Sequence, residues 1–378
     1  MTSASKPFIV AVPMTNAEGT DWNDDVHVYP KNEGLNPEKK PNKPSVNIGD
    51  EVKWTIKANV PSDFNTYKKF QIVDQLDKRL NYVDNTVVVY GSDTAETPLS
   101  KVILDKSSDN GNTGDYVIIH APASDSDKEK VTIQLTETGI KKLADESSVT
   151  KIVVEFGTTV NGNISNDIDN IIKNDATINF ENESGSDGVT TPEAEVDTGE
   201  IKIDKKDSND DKPLKGSEFQ IASFNEHAAS EEYLKVKLDS NNKIIAILEK
   251  GDTGYDDAYS WVVRPHAEGS ELVVDKTKKI FYATSFGGLQ THDSSNNWSS
   301  YWVVETKAPK DYNLLEAPVQ ITFESGLTNY VLTKPVINKK GFTLPNTGGI
   351  GTMFLVVFGI ILIGLAIILI MGKNRKTV

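Results

Sequence analysis

Three charged side chains fall where strand alternation points inward. In Ile201-Lys202-Ile203-Asp204-Lys205 the residues Ile201, Ile203 and Lys205 share one strand face, which carries an amine into a core beside two isoleucines. Glu305 keeps the phase of Val303 and Tyr301, and Asp74 keeps the phase of Phe70 and Ile72. A charge enclosed by apolar side chains requires a partner or a reaction. Burial lowers the pKa of a lysine and frees its lone pair, so an enclosed amine is a latent nucleophile and an acid beside it can handle the proton. Carboxamides have matching phase: Asn338 with Val336, and both Asn174 and Asn182 with Ala176, Ile178 and Phe180. A fourth reactive group, the Lys31 amine, follows Val26-His27-Val28-Tyr29-Pro30; Pro30 stops ladder pairing and leaves Lys31 at the end of an ordered strand.

The elements that position these groups read as short strands. Val52, Trp54, Ile56, Ala58 and Val60 alternate with polar residues up to Pro61. Further strands are predicted at Phe70 to Val73, Val87 to Tyr90, Tyr116 to Ile119, Val131 to Leu135, Ile152 to Phe156 and Ala176 to Phe180, with one helix from Glu137 to Ala144 capped by Thr136. Many short strands separated by turn residues indicate an all-β chain of tandem immunoglobulin-like β-sandwiches. The expected division is a first sandwich over 38–182, an extended acidic linker over 183–199 that is rich in Gly, Ser, Thr and Pro, and a second sandwich over 200–340. Residues 1–32, with the apolar patch Phe8 to Val12, read as the end of a domain whose earlier part is missing. No basic region followed by a long apolar stretch marks an export signal there.

The end of the chain differs. Ile350 to Met371 is uncharged and apolar, and at about 1.5 Å per residue it spans roughly 30 Å, the thickness of a bilayer's hydrocarbon layer. Lys373, Arg375 and Lys376 follow it, which predicts a C-terminal transmembrane helix with everything before Leu344 outside. Net charge is -15, and three of the cations sit in the last six residues, so the exterior part is more acidic still. Such a surface argues against nucleic acid and anionic lipid as partners. There is no cysteine, and the five histidines (His27, His120, His227, His266, His292) lack metal-ligand spacing, so neither disulfides, a metal nor a cofactor is expected. Asp207, Asn209, Asp211 and Glu218 match calcium-loop positions, but Lys212 stands where that loop needs glycine, and a polar hairpin turn is the better reading. No phosphate loop, nucleophile elbow or His-Glu-x-x-His is present.

Leu344-Pro345-Asn346-Thr347-Gly348, the apolar span and the basic tail together resemble the cell-wall sorting signal of Gram-positive surface proteins. The resemblance implies cleavage by a sortase between Thr347 and Gly348, with the threonyl carbonyl passed to an amine. Trp22-x-x-x-Val26-x-Val28-Tyr29-Pro30-Lys31 resembles the pilin motif of sortase-assembled pili, whose lysine receives that carbonyl from the next subunit. The span Tyr301 to Tyr312, with Glu305-Thr306-x-Ala308-Pro309-x-Asp311-Tyr312, resembles the signature of the Cna B-type module, with Asp311 where glycine is usual and Ser217-Glu218 departing after Gly216. That family implies an intramolecular amide in which Lys205 attacks Asn338, ammonia leaves and Glu305 assists. Val46-Asn47-Ile48-Gly49-Asp50-Glu51-Val52-x-Trp54 and Asn174-x-Ala176-x-Ile178-x-Phe180-x-Asn182 resemble the fimbrial isopeptide-forming, Cna A-like domains. There the implied acid is Asp74, the lysine is Lys39 with Lys40 and Lys43 close by, and the asparagine is Asn182, placed by the family at the strand's end, with Asn174 in the same phase.

Taken together, the chain is identified as resembling a sortase-assembled, SpaA-like backbone pilin. The resemblance implies a shaft subunit polymerised by a class C sortase through Thr347 to Lys31 of an identical copy, and joined to peptidoglycan by a housekeeping sortase. Minor tip and basal pilins would complete the fibre, at the extracellular cell-wall surface, with the precursor held transiently in the plasma membrane by 350–371. The protein would be a sortase substrate and not an enzyme. A monomeric wall-anchored adhesin would use the same sorting signal without needing Trp22 to Lys31, and an anchored hydrolase lacks any catalytic constellation.

Overall fold

The computed structural model describes residues 14–15, 18–23, 34–93, 101–108, 113–124, 128–163, 169–183 and 185–341. Lys31, the sorting motif Leu344 to Gly348, the apolar run 350–371 and the patch Phe8 to Val12 lie outside them. Among the described residues no helix is long and apolar enough to cross a membrane.

The described chain is almost entirely β, built as two sandwiches. In the first, Thr177–Asn182, Lys69–Gln75, Lys130–Leu135 and Tyr116–Ala121 form one sheet, with Gly185–Thr190 as an outer strand. The facing sheet runs Glu38–Pro41, Glu51–Asn59, Lys151–Val160, Val88–Ser92 and Lys101–Ile103. Alternation fills the space between them: Trp54, Ile56, Phe70, Ile72, Val131, Ile133, Phe156, Ile178 and Phe180 are all buried. The one polar edge of Trp54 is satisfied by Thr158, whose hydroxyl accepts from Nε1 at 2.9 Å. The helix is Glu137–Asp145; Thr136 caps it by accepting from Gly139 N, and Ile140 and Leu143 face inward.

In the second sandwich, Ser285–Leu289, Gly199–Asp207 and Val331–Asn338 form a three-stranded sheet. The first and last strands pair in parallel, from Glu200 opposite Val331 to Asp207 opposite Asn338. The larger sheet is ordered Ile244–Leu248, Lys235–Leu238, Tyr259–Val263, Glu218–Ala222, Ser300–Lys307 and Val319–Thr322. Val319–Thr322 intervenes between the Glu305 strand and the last one, so Glu305 is on the antepenultimate strand. The Asp207 to Lys212 segment is a tight hairpin, with Asp207 N donating to Lys212 O at 3.0 Å.

The expected solvated linker over 183–199 is corrected. Gly185–Thr190 pairs with Thr177–Asn182, and Ala194–Asp197 pairs with Ile171–Asn174, with Val196 and Thr198 fully buried. The first sandwich therefore extends to Thr198, and it begins before residue 38, since Leu35 is already buried. The two sandwiches share one core. Ile48 N donates to Gly288 O at 2.9 Å and Ile48 O accepts from Ile247 N at 2.9 Å, so residues 45–50 of the first domain lie between two strands of the second. Beside Ile48, Thr291 Oγ1 donates to Asp197 Oδ1 at 2.6 Å, and Thr291 N donates to Ser45 Oγ at 2.8 Å. Burial raises the Asp197 pKa, against the opposing pull of these hydroxyls and of His292.

Candidate functional site

Each sandwich encloses one lysine. Strict alternation along Gly199–Asp207 turns Ile201, Ile203 and Lys205 into the core, and Lys205 is fully buried. Its ammonium lies 5.9 Å from the Phe219 ring centre on the opposite sheet. Parallel pairing puts Lys205 opposite Val336, so Asn338, two residues on, turns its side chain back over the amine. Lys205 Nζ donates to Asn338 Oδ1 and, at 3.2 Å, to Val336 O. Asn338 Nδ2 donates to both carboxylate oxygens of Glu305 at 2.9 Å each and to Asn313 O at 3.0 Å. Glu305 Oε1 is 3.6 Å from Lys205 Nζ, and Leu315 N donates to Glu305 Oε2 at 3.0 Å. Desolvation lowers the Lys205 pKa more than the neighbouring Glu305 restores it. The structure thus gathers all three sequence-predicted groups, and it adds two backbone groups, Asn313 C=O and Leu315 N–H, that fix the carboxamide and the acid.

The first sandwich is built alike, with one change of partner. Lys39 is buried on the edge strand Glu38–Pro41, while Lys40 faces solvent and pairs with Glu38 at 3.1 Å. Lys43 is half-buried. Lys39 Nζ donates to Asp74 Oδ2 and, at 3.1 Å, to Asp175 O, and it lies 4.9 Å from the Trp54 ring and 5.6 Å from Phe156. Desolvation is the largest influence on both groups, lowering the Lys39 pKa and raising that of Asp74, so both move toward their neutral forms. The Asn174 side chain is buried beside Asp74, yet neither Nδ2 nor Oδ1 closes a hydrogen bond, and Asp74 Oδ1 is also without one.

Asn182 is elsewhere, which corrects its expected place beside Lys39. The antiparallel register sets Thr177 opposite Val73 and Glu181 opposite Lys69, so Asn182 lies past the far end of the Asp74 strand. At about 3.4 Å per residue this is well over 15 Å from Asp74. Asn174 and Asn182 share a strand phase, and only antiparallel pairing separates them: a group late on one strand meets a group early on its neighbour. Among the described residues no cluster of His, Asp or Glu could hold a metal ion.

Residues 199–335 match the SpaA prealbumin-like fold domain, residues 1–33 the N-terminal D1 domain of Gram-positive pilin subunits, and residues 337–378 the LPXTG cell wall anchor motif. Fimbrial subunit type 1 of Actinomyces viscosus is 28% identical over 98% of this chain. Three segments of the chain are thus those found in Gram-positive pilins. The chain spans 70% of that relative's length, and 65% of fimbrial subunit type 2 of Actinomyces naeslundii, to which it is also 28% identical. The full-length major pilin SpaD of Corynebacterium diphtheriae shares the fold, with a TM-score of 0.52 and 23% identity over 89% of this chain and 75% of SpaD. The anchor motif marks a cell-wall surface protein, and the matched relatives are structural fimbrial subunits rather than enzymes.

Proposed function

We propose that this chain is a pilin shaft subunit, joined by a sortase from Thr347 to Lys31 of the next copy, and that each sandwich is closed by an internal amide. The observation that carries the reading is the enclosed Lys205, Glu305 and Asn338 constellation, in which the amine, the acid and the carboxamide are already in contact. The neutral Lys205 amine adds to Asn338 Cγ. The Cγ–Nδ2 bond then breaks, and Nδ2 departs as ammonia with the proton that Nζ gives up, Glu305 passing it across. In the first sandwich Lys39 attacks Asn174, with Asp74 as the acid. We read residues 35–198 and 199–341 as the two domains, between an N-terminal segment that carries Lys31 and the sorting signal over 343–378. A sortase of the polymerising class C type would link copies, a housekeeping sortase would attach the fibre to peptidoglycan, and accessory pilins would occupy its ends.

Co-expression with the cognate class C sortase tests the polymer. Boiled samples should give a ladder of covalent multimers that Lys31→Ala abolishes. A ladder unchanged by Lys31→Ala would sink the shaft reading, and wall-linked monomer alone would favour an anchored adhesin.

A further inference from the structure

The turn over 308–315 does more than connect strands. It delivers both backbone groups that hold the reacting side chains, Asn313 O against Asn338 Nδ2 and Leu315 N against Glu305. Asn313 N donates to Lys339 O at 3.1 Å and Gly341 N donates to Asp311 O at 3.0 Å, which tie the turn to the end of the last strand. Nothing in those bonds ties it to the strand that bears the lysine. That contact is made by one side chain: Tyr312 Oη donates to Asp207 Oδ2 at 2.5 Å. Asp207 is buried, two residues beyond Lys205 on the same strand face and opposite Asn338 in the parallel ladder. Its other neighbours are Asn209, whose N donates to Oδ1 at 2.9 Å and whose Nδ2 donates to it at 3.2 Å, and Lys340 at 4.0 Å. The Tyr312 hydrogen bond holds the Asp207 carboxyl below the usual range, and the same bond pushes the phenol up to about 12.

We propose that Tyr312 and Asp207 are positioning residues for the amide between Lys205 and Asn338, clamping the turn over 308–315 to the lysine strand so that Glu305 and the carboxamide meet the amine in register. This rests on the amide reading above. Neither residue touches the reacting atoms. The clamp fixes the two backbone groups that do, and a displacement of an ångström in such groups costs on the order of a hundredfold in rate.

The test uses the full chain, synthesised in a pulse without sortase, with the Lys205–Asn338 cross-linked peptide followed by mass spectrometry of digests. Tyr312→Phe and Asp207→Ala should slow its appearance roughly tenfold or more. Asp207→Asn, which keeps one side-chain oxygen able to accept the phenol proton, should retain most of the wild-type rate. The slowed variants should keep the shape of the wild-type pH profile at reduced height, because Lys205 and Glu305 are themselves unchanged. Equal rates in wild type and Tyr312→Phe would overturn the positioning role, and so would a fall in rate matched by a fall in protease-resistant folded protein. If the wild type itself yields no such peptide, the amide reading fails instead.

Discussion

Replacing Glu305 by glutamine isolates the chemistry from the shape. Both Glu305 oxygens accept from Asn338 Nδ2, and one also accepts from Leu315 N. Glutamine keeps the volume and one acceptor, but it can neither take up nor return a proton, so Lys205 and Asn338 should stay unlinked. They stand 133 positions apart. For a closed loop of that length the chain-entropy expression gives about 5 kcal/mol of stabilisation from restricting the unfolded chain. For a sandwich of this size that corresponds to a fall of about 15–20 °C in melting temperature. Intact mass and thermal unfolding of the same preparation supply both readouts. The variant should be heavier than expected from the substitution by one retained ammonia, and it should melt well below the wild type. Two outcomes refute the reasoning: a Glu305→Gln chain that has still lost its ammonia, or one that retains it and melts within a few degrees of wild type.

Two further perturbations probe the other places where the structure departs from simple expectation. Asn174→Ala should abolish the deficit of one ammonia between the measured mass and that expected from its sequence, Asn182→Ala should retain the deficit, and the reverse pattern would return the bond to the far end of the strand. Gly288→Ala should weaken the joint between the sandwiches: its φ is +80°, and an added Cβ would sit 2.2 Å from Ile48 Cδ1. A cost of about 2–4 kcal/mol is expected from strain and overpacking, read as a lower urea midpoint and faster proteolysis between the domains, and an unchanged midpoint would contradict it.

Much of the second sandwich was legible because its reactive groups sit on long, strictly alternating strands. In Gly199–Asp207 every second residue is buried, so the phase that carries Ile201 and Ile203 inward necessarily carries Lys205. Thr136 announced the helix in the same local way. The first sandwich was harder because its decisive information is non-local. Asn174 and Asn182 are an even number of residues apart and present the same phase, and only the register with Lys69–Gln75 tells which one meets Asp74. Ala194–Asp197 offers just two apolar positions, and its partner strand Ile171–Asn174 lies some twenty residues back, so composition alone shows only a polar, Gly-rich and Ser-rich run. Asn313 and Leu315 act through backbone atoms, which leave no mark in a residue type. Asp311 does leave one: its φ of +69° is a left-handed conformation that glycine adopts freely and aspartate tolerates, which is why it can stand at the glycine position of the signature.

The insertion of Ile48 between two strands of the neighbouring domain has a consequence for the fibre as a material. A single covalent crossing at Thr198 would leave the sandwiches free to swing. The second crossing, through the backbone bonds of Ile48 and the buried hydroxyl and carboxylate contacts of Ser45, Thr291 and Asp197, removes that swing and its attendant entropy. In a polymer of such subunits these two sandwiches would move as one stiff link, with no elastic hinge between them. Thermal bending of the fibre would then be taken up at its other junctions, and the stiff stretch would be longer than a single domain.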